Sequence, residues 1–261
     1  MLNFDLTICP DADALATRAA TLIVDASLEA IRERGRFAIV LSGGSTPEKT
    51  YDQLARPESR DAIDWSRTYL FVGDERFVAA DDPSNNFAMI RRSLIERVPV
   101  PPANVLPIGT AYPSVAVSAA AYNRTLEQFF KLPAESPPPR FDLVLLGLGD
   151  DGHTASLFPG KPALEVAEAW VTSSPPGVLP PPVDRITLTF PILNRARQVL
   201  FLVAGAKKAN VVRRILRESP PRDEMPAAGI VPDEGRVTWL LDTGAASALP
   251  QSHPSTWSSV R

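Results

Sequence analysis

Short apolar runs alternate with segments of helical periodicity along the whole chain. "FDLTICP" near the start reads as a strand. Over residues 11–34, Leu15, Ala19, Leu22, Ile23, Ala26 and Ala30 fall on one helical face. "FAIVLS" (37–42) is apolar on both sides, the pattern of a buried parallel strand. The spacing then predicts a helix from Pro47 to about Ala55, a strand over 68–75 and a helix over 85–98. A strand at "NVLPIG", a helix over 114–131 and a strand at "FDLVLLGLG" follow. The last third adds strands at "RITLTF", "QVLFLVAG" and "RVTWLLD", with a helix over 206–218.

This alternation predicts an α/β protein with a mostly parallel central sheet and helices on both faces. Right-handed crossovers bring the carboxyl ends of successive strands to one edge, where open α/β sheets bind ligands. The polar residues that follow each strand are therefore the ones that matter. No internal repeat and no linker divides the chain, so the expectation is one domain over 1–248 and a C-terminal tail over 249–261. His253 falls in that tail and is read as having no function.

Composition narrows the classes. A net charge of −3 offers no general attraction to nucleic acid or an anionic membrane. No stretch approaches the roughly 18 uncharged apolar residues of a membrane helix. The start lacks the basic-then-apolar pattern of a secretory signal. The single cysteine, Cys9, excludes an internal disulfide framework, suits a reducing compartment and reads as a buried structural thiol. These features together predict a cytoplasmic protein. The 27 prolines cluster between periodic segments, so they mark loops and not a disordered tract.

Three strand ends carry candidate chemistry. In "LSGGSTPEKTYDQL", Gly43 and Gly44 allow a tight turn into a helix with Pro47 at its first position and Thr46 or Ser45 as its cap. Free N–H groups there, with two hydroxyls, can cradle a phosphate; a tight, well-capped turn is the alternative. In "LFVGDERFVAADDPSNN", Asp74, Glu75 and Arg76 reach the same edge, as an anion-binding arginine with its acids or as a solvated loop. Ser84 and Asn85 are read as caps of the following helix. In "GLGDDGHTASLFPG", Gly147 and Gly149 allow close backbone approach, and Asp150, Asp151 and His153 follow. An imidazole there can take a proton from water, or serve only as a polar turn residue. One histidine and two aspartates make a poor zinc site, so no metal is expected. Lys207 and Lys208 follow the strand at "QVLFLVAG", within reach of a phosphate. The place of Arg185 depends on strand direction: in a parallel strand it would lie at the wrong end.

These residues together resemble the 6-phosphogluconolactonases of the glucosamine/galactosamine-6-phosphate isomerase superfamily. The resemblance rests on "LSGGSTP", "GDERFV" with "SNN", "GLGDDGHTASLFPG", "DRITLTFPILNRA" and "LVAGAKK", in that order, with "GRVTWLLDTGAAS" beyond them. It implies a Rossmann-like three-layer α/β/α fold of the kind shared with glucosamine-6-phosphate deaminase and ribose-5-phosphate isomerase. It implies hydrolysis of 6-phospho-D-glucono-1,5-lactone in the oxidative pentose phosphate pathway, with no cofactor. His153 would be the general base, Arg76 a substrate-binding or charge-stabilising group and Asp151 a supporting carboxylate. Gly43, Gly44, Ser45, Thr46 and Lys207 would bind the phosphate, with Asp74 and Glu75 also in the substrate site. The expected partner is a small phosphosugar lactone, and the expected assembly a monomer or small homo-oligomer.

Two other readings belong to the same fold. A deaminase-type motif continues after its histidine to a glutamate, and Phe158 stands at that position here. A non-catalytic phosphosugar-binding effector would carry a DNA-binding segment, for which the stretch before the first strand leaves no room. The segment "EMPAAGIVP" departs from the family pattern at Ala227 and Ala228, outside the core motifs, and bears on local contacts only.

Overall fold

Two β-sheets share the hydrophobic core. A computed structural model describes residues 4–131, 137–177 and 182–250, which leaves His253 outside the described residues. In chain order the elements are β1 (Phe4–Cys9), α1 (Ala12–Arg34), β2 (Phe37–Leu41), α2 (Ser45–Leu54), α3 (Pro57–Arg60) and β3 (Thr68–Val72). There follow β4 (Asp74–Arg76), α4 (Asn86–Ser93), β5 (Val105–Leu106), α5 (Val115–Phe130), β6 (Leu143–Leu146) and β7 (Val171–Ser174). Next come β8 (Arg185–Leu188), α6 (Phe190–Leu193), β9 (Gln198–Val203), α7 (Ala209–Glu218), β10 (Arg236–Asp242) and α8 (Thr243–Ala246).

The main sheet has seven strands in the order β1-β10-β9-β6-β2-β3-β5, every pair parallel. All residues of β2 and β6 are buried, which explains their unbroken apolar runs. Phe201 and Trp239 stack across β9 and β10 with centroids 3.9 Å apart. The loops leaving β9, β6, β2 and β3 are side by side at the carboxyl edge. The chain runs outward from β2 to β3 on one side, while β6 and β9 lie on the other. That reversal opens a crevice at the β2–β6 junction.

Several elements differ from the sequence expectation. The strand expected over 68–75 breaks at Gly73, whose N–H still bonds Leu41 O at 2.9 Å. Beyond it the chain turns into β4, which pairs antiparallel with β8 and, through it, with β7 in a second sheet. β7 ("VTSS") is too polar to stand out in the sequence. The helix expected over 85–98 ends at Ser93 and is followed by a 3-10 turn at Ile95–Arg97. The one expected over 206–218 opens with a 3-10 turn at Ala206–Lys208. The start of α1 is fixed by the Asp11 side chain, which accepts from Asp13 N and Ala14 N; its end is fixed by Gly35, at φ 74°. Cys9 is buried, and that burial pushes its thiol pKa up, as befits an unreactive structural group. Among the described residues no helix is long and apolar enough to cross a membrane.

Candidate active site

The loop after β2 is anchored by a buried tyrosine. Tyr51 Oη donates to Ser42 O at 2.7 Å and accepts from Ser42 N at 2.9 Å, so α2 clamps the end of its own preceding strand. Gly43 leaves no room for a side chain while Asn86 stays in place, because a Cβ there would sit 1.9 Å from Asn86 Oδ1. Gly44 has φ 106°, a conformation that favours glycine, and it is the residue that caps α2. The helix therefore begins at Ser45 and not at Pro47, and neither Ser45 nor Thr46 is spent as a side-chain cap. The first-turn N–H groups of Ser45 and Thr46 have no intrahelical acceptor, and both hydroxyls are near them.

The loop after β3 holds its charges differently from the sequence expectation. Glu75 is buried and points inward, accepting from Arg76 N (2.8 Å), Asn86 N (2.7 Å) and Phe87 N (2.8 Å). It thus ties β4 to the start of α4, whose N-cap is Asn85. Ser84, expected as a partner cap, instead offers its carbonyl to Arg76. Burial pushes the Glu75 carboxyl up to about 7, with the nearby Asp74 adding to the rise and the three N–H bonds opposing it. Asp74 is also buried and accepts from Ser156 Oγ at 2.6 Å. Both acids, expected in the substrate site, are occupied by internal hydrogen bonds.

Arg76 is held by Asn86 Oδ1 at 2.6 Å and Ser84 O at 2.8 Å, while its buried Nε has no hydrogen-bond partner among the described residues. In the antiparallel register it faces Arg185. Because β8 is antiparallel and outside the main sheet, Arg185 is delivered to the site, the outcome that strand direction left open in the sequence. Burial and the adjacent Arg76 charge depress the Arg185 guanidinium below its usual value. Two guanidiniums placed this way favour an anion between them.

The loop after β6 folds tightly on itself. Gly149 N donates to His153 O at 2.8 Å, and Gly152 N to Gly149 O at 3.1 Å. A Cβ on Gly149 would lie 2.0 Å from His153 Nδ1, so the imidazole packs directly on the glycine backbone. His153 Nδ1 is 2.5 Å from Asp151 Oδ1, which also accepts His153 N at 3.1 Å. Burial tends to raise the Asp151 carboxyl, but the hydrogen bond and charge of His153 outweigh it and hold it below its usual value. In the neutral tautomer that donates Nδ1–H to Asp151, Nε2 keeps its lone pair. Phe158 closes one side of the ring at a centroid distance of 4.8 Å, and Arg185 lies over the same phenyl group at 6.0 Å.

The loops are cross-linked. Ser156 Oγ donates to Asp74, and the Ser156 N–H donates to Thr187 Oγ1 at 3.2 Å. Lys208 Nζ pairs with Asp150 Oδ1 at 2.5 Å, while Lys207 is exposed. The two aspartates thus divide, Asp150 to the lysine loop and Asp151 to the histidine. Asp242 fixes the lysine turn by accepting from Gly205 N at 3.0 Å. "EMPAAGIVP" is nearer the chemistry than its sequence position implied: Ala227 N donates to Gly152 O at 2.9 Å, and Met225 packs on Gly152. Asn86, Ser156 and Thr187 were not singled out as site residues. Only the "SNN" string hinted at Asn86, and nothing local marks the others, since their partners are distant in sequence. Among the described residues no group of three His, Cys, Asp or Glu side chains could hold a metal ion.

Comparison with known proteins gives the family and the fold. A family profile described as "Glucosamine-6-phosphate isomerases/6-phosphogluconolactonase" matches residues 10–239. A 6-phosphogluconolactonase of Synechocystis sp. is 42% identical over 235 residues, covering 90% of this chain and 94% of its own. The structure of 6-phosphogluconolactonase from Trypanosoma brucei superposes with a TM-score of 0.80 at 31% identity, covering 96% of this chain and all of that one. A monomeric glucosamine-6-phosphate deaminase has a TM-score of 0.78 at 22% identity, covering 94% and 100% of the two chains, which is a likeness of fold alone. The chain belongs to the glucosamine-6-phosphate isomerase/6-phosphogluconolactonase family.

Proposed function

We propose that this chain hydrolyses 6-phospho-D-glucono-1,5-lactone to 6-phospho-D-gluconate, a step of the oxidative pentose phosphate pathway, with His153 as general base. The observation that carries this reading is the contact of His153 Nδ1 with Asp151 Oδ1 at 2.5 Å; the Nδ1–H tautomer that suits this contact leaves Nε2 to accept a proton. The name borne by the Synechocystis relative supports the same substrate.

In this mechanism the N–H groups at the start of α2, the hydroxyls of Ser45 and Thr46 and the ammonium of Lys207 hold the phosphate. Lys208 is already engaged by Asp150, which favours Lys207 for this role. His153 Nε2 takes a proton from water as the water oxygen bonds to C1. The carbonyl electrons move onto the carbonyl oxygen, and Arg76 stabilises that oxyanion. As the oxyanion collapses, the bond from C1 to the ring oxygen breaks, and protonated His153 returns its proton to that oxygen. Asp151 keeps the ring in the required tautomer and balances its transient charge. Glu75 and Asn86 act through Arg76 as positioning residues. Phe158 gives the histidine an apolar wall where deaminase chemistry calls for a carboxylate.

His153→Ala is expected to lower kcat at least about 100-fold with little change in phosphate affinity, a usual size for general-base loss. Activity is followed as acid release from freshly prepared lactone, with the spontaneous rate subtracted. A kcat near that of the unmodified protein would remove His153 from the mechanism.

A further inference from the structure

At the opposite edge of the main sheet, the segments entering β2, β6 and β9 surround a cleft of about 530 Å³. Its walls include Arg34, Arg36, Arg140, Arg195 and Arg197, with Asp142 the acid among them. The strand rise puts this cleft about 20 Å from the candidate active site, measured from Arg36 to Ser42 along β2.

Among the described residues the charges here do not cancel. Arg34 is satisfied by Asp142 at 2.8 Å and Glu33 at 2.6 Å, and Arg140 by Glu234 at 2.8 Å and by Arg195 O at 3.1 Å. Asp142 spends its other oxygen on Ala38 N at 2.8 Å and lies only within ion-pair range of Arg197, at 3.6 Å. Among the described residues the five guanidiniums of the cleft have three carboxylates in ion-pair range, Glu33, which also pairs with Arg32, Asp142 and Glu234. Arg195 Nε and Arg197 Nε are buried with no hydrogen-bond partner among the described residues. Buried donors left unmade are costly, so charge at these two side chains is poorly compensated from within the fold. Burial, then the charges of Arg34 and Arg140, depress the Arg197 guanidinium below its usual value. Arg36 has no carboxylate partner among the described residues; it is oriented over Phe129, 4.7 Å from the ring centroid.

We propose that this cleft binds a polyphosphate anion of the di- or triphosphate class, separately from the lactone site. The planar forks of Arg36, Arg195 and Arg197 suit the oxygens of successive phosphoryl groups. Among the described residues the positive charges exceed the negative by about two, which suits an anion carrying more than one charge. Phe130 and Pro137 to Pro139 supply an apolar wall, compatible with a nucleoside attached to the phosphates.

The test uses the full chain carrying Ser45→Ala and Lys207→Ala, which disables the proposed phosphate cradle at the other edge. Tripolyphosphate and ATP are each titrated by calorimetry and by thermal denaturation. Saturable binding of one or both is expected, weakened at least tenfold by adding Arg36→Gln and Arg195→Gln. Equal affinity for the two ligands assigns recognition to the phosphates, and tighter ATP binding adds the nucleoside. No binding by either, or binding unchanged by the arginine substitutions, would overturn the proposal. Phenylglyoxal modification of the unsubstituted protein, mapped by mass spectrometry, gives a readout independent of those variants. Tripolyphosphate should protect Arg36, Arg195 and Arg197 but not the exposed Arg91; uniform modification with and without the anion counts against the site.

Discussion

Replacing Gly43 with alanine tests how the loops after β2 and β3 depend on each other. The new methyl group would lie 1.9 Å from Oδ1 and 2.3 Å from Cγ of Asn86. Neither atom is the end of a loose side chain. The Asn86 amide is held by Arg76 Nη1 at 2.6 Å and itself donates to Asp74 O at 2.8 Å. To make room, it must move by about 1 Å or more, which takes both bonds beyond useful length. A hydrogen bond to a charged group contributes about 2 kcal/mol and a neutral one about 1, so roughly 3 kcal/mol of positioning at Arg76 is at stake. If that loss is felt in the transition state, kcat/KM falls by roughly 100-fold. The assay is lactone hydrolysis corrected for the spontaneous rate, with circular dichroism to show that the fold persists. The steric argument also requires non-additivity: once Asn86→Ala has removed the obstruction, Gly43→Ala should cost little more. Full activity in Gly43→Ala, or an equal penalty in both backgrounds, would refute the coupling.

Ser45→Ala with Lys207→Ala is expected to raise KM by at least about tenfold while kcat changes less, as fits a group that binds a non-reacting phosphate. An unchanged KM in steady-state kinetics would refute that assignment. Glu75 links stability to pH. Its carboxyl rises from an ordinary 4.5 to about 7 on folding, so its stabilising contribution is complete below 4.5 and is lost as pH rises to about 7. The linkage is on the order of 3 kcal/mol. Urea denaturation from pH 4 to 8 should show this slope as a difference between the parent and Glu75→Gln; parallel pH profiles would contradict it.

The parallel sheet was legible in the chain because its central strands are buried on both faces, leaving unbroken apolar runs such as "FAIVLS" between amphipathic helices. The positions of the GGST loop, of Arg76 and of His153 were equally legible, because parallel strands with right-handed crossovers send all their carboxyl ends to one edge. Roles were less so. Asp74 and Glu75 look like substrate ligands in a list of charged residues, yet both turn inward to distant partners, Ser156 and the start of α4. The second sheet was hidden because β7 is polar and β4 is three residues long.

The sequence by itself determined the layer architecture, the loops that meet at the carboxyl edge and the residue types available there. Those follow from local periodicity and chain connectivity. Only the tertiary structure decided which charge faces which. It turned β8 antiparallel, set Arg185 opposite Arg76, paired Asp151 with His153 and Asp150 with Lys208, and gathered five arginines at the far edge. Such pairings join residues far apart in the chain, and their energies depend on burial and on distances of a few ångströms that no one-dimensional pattern encodes.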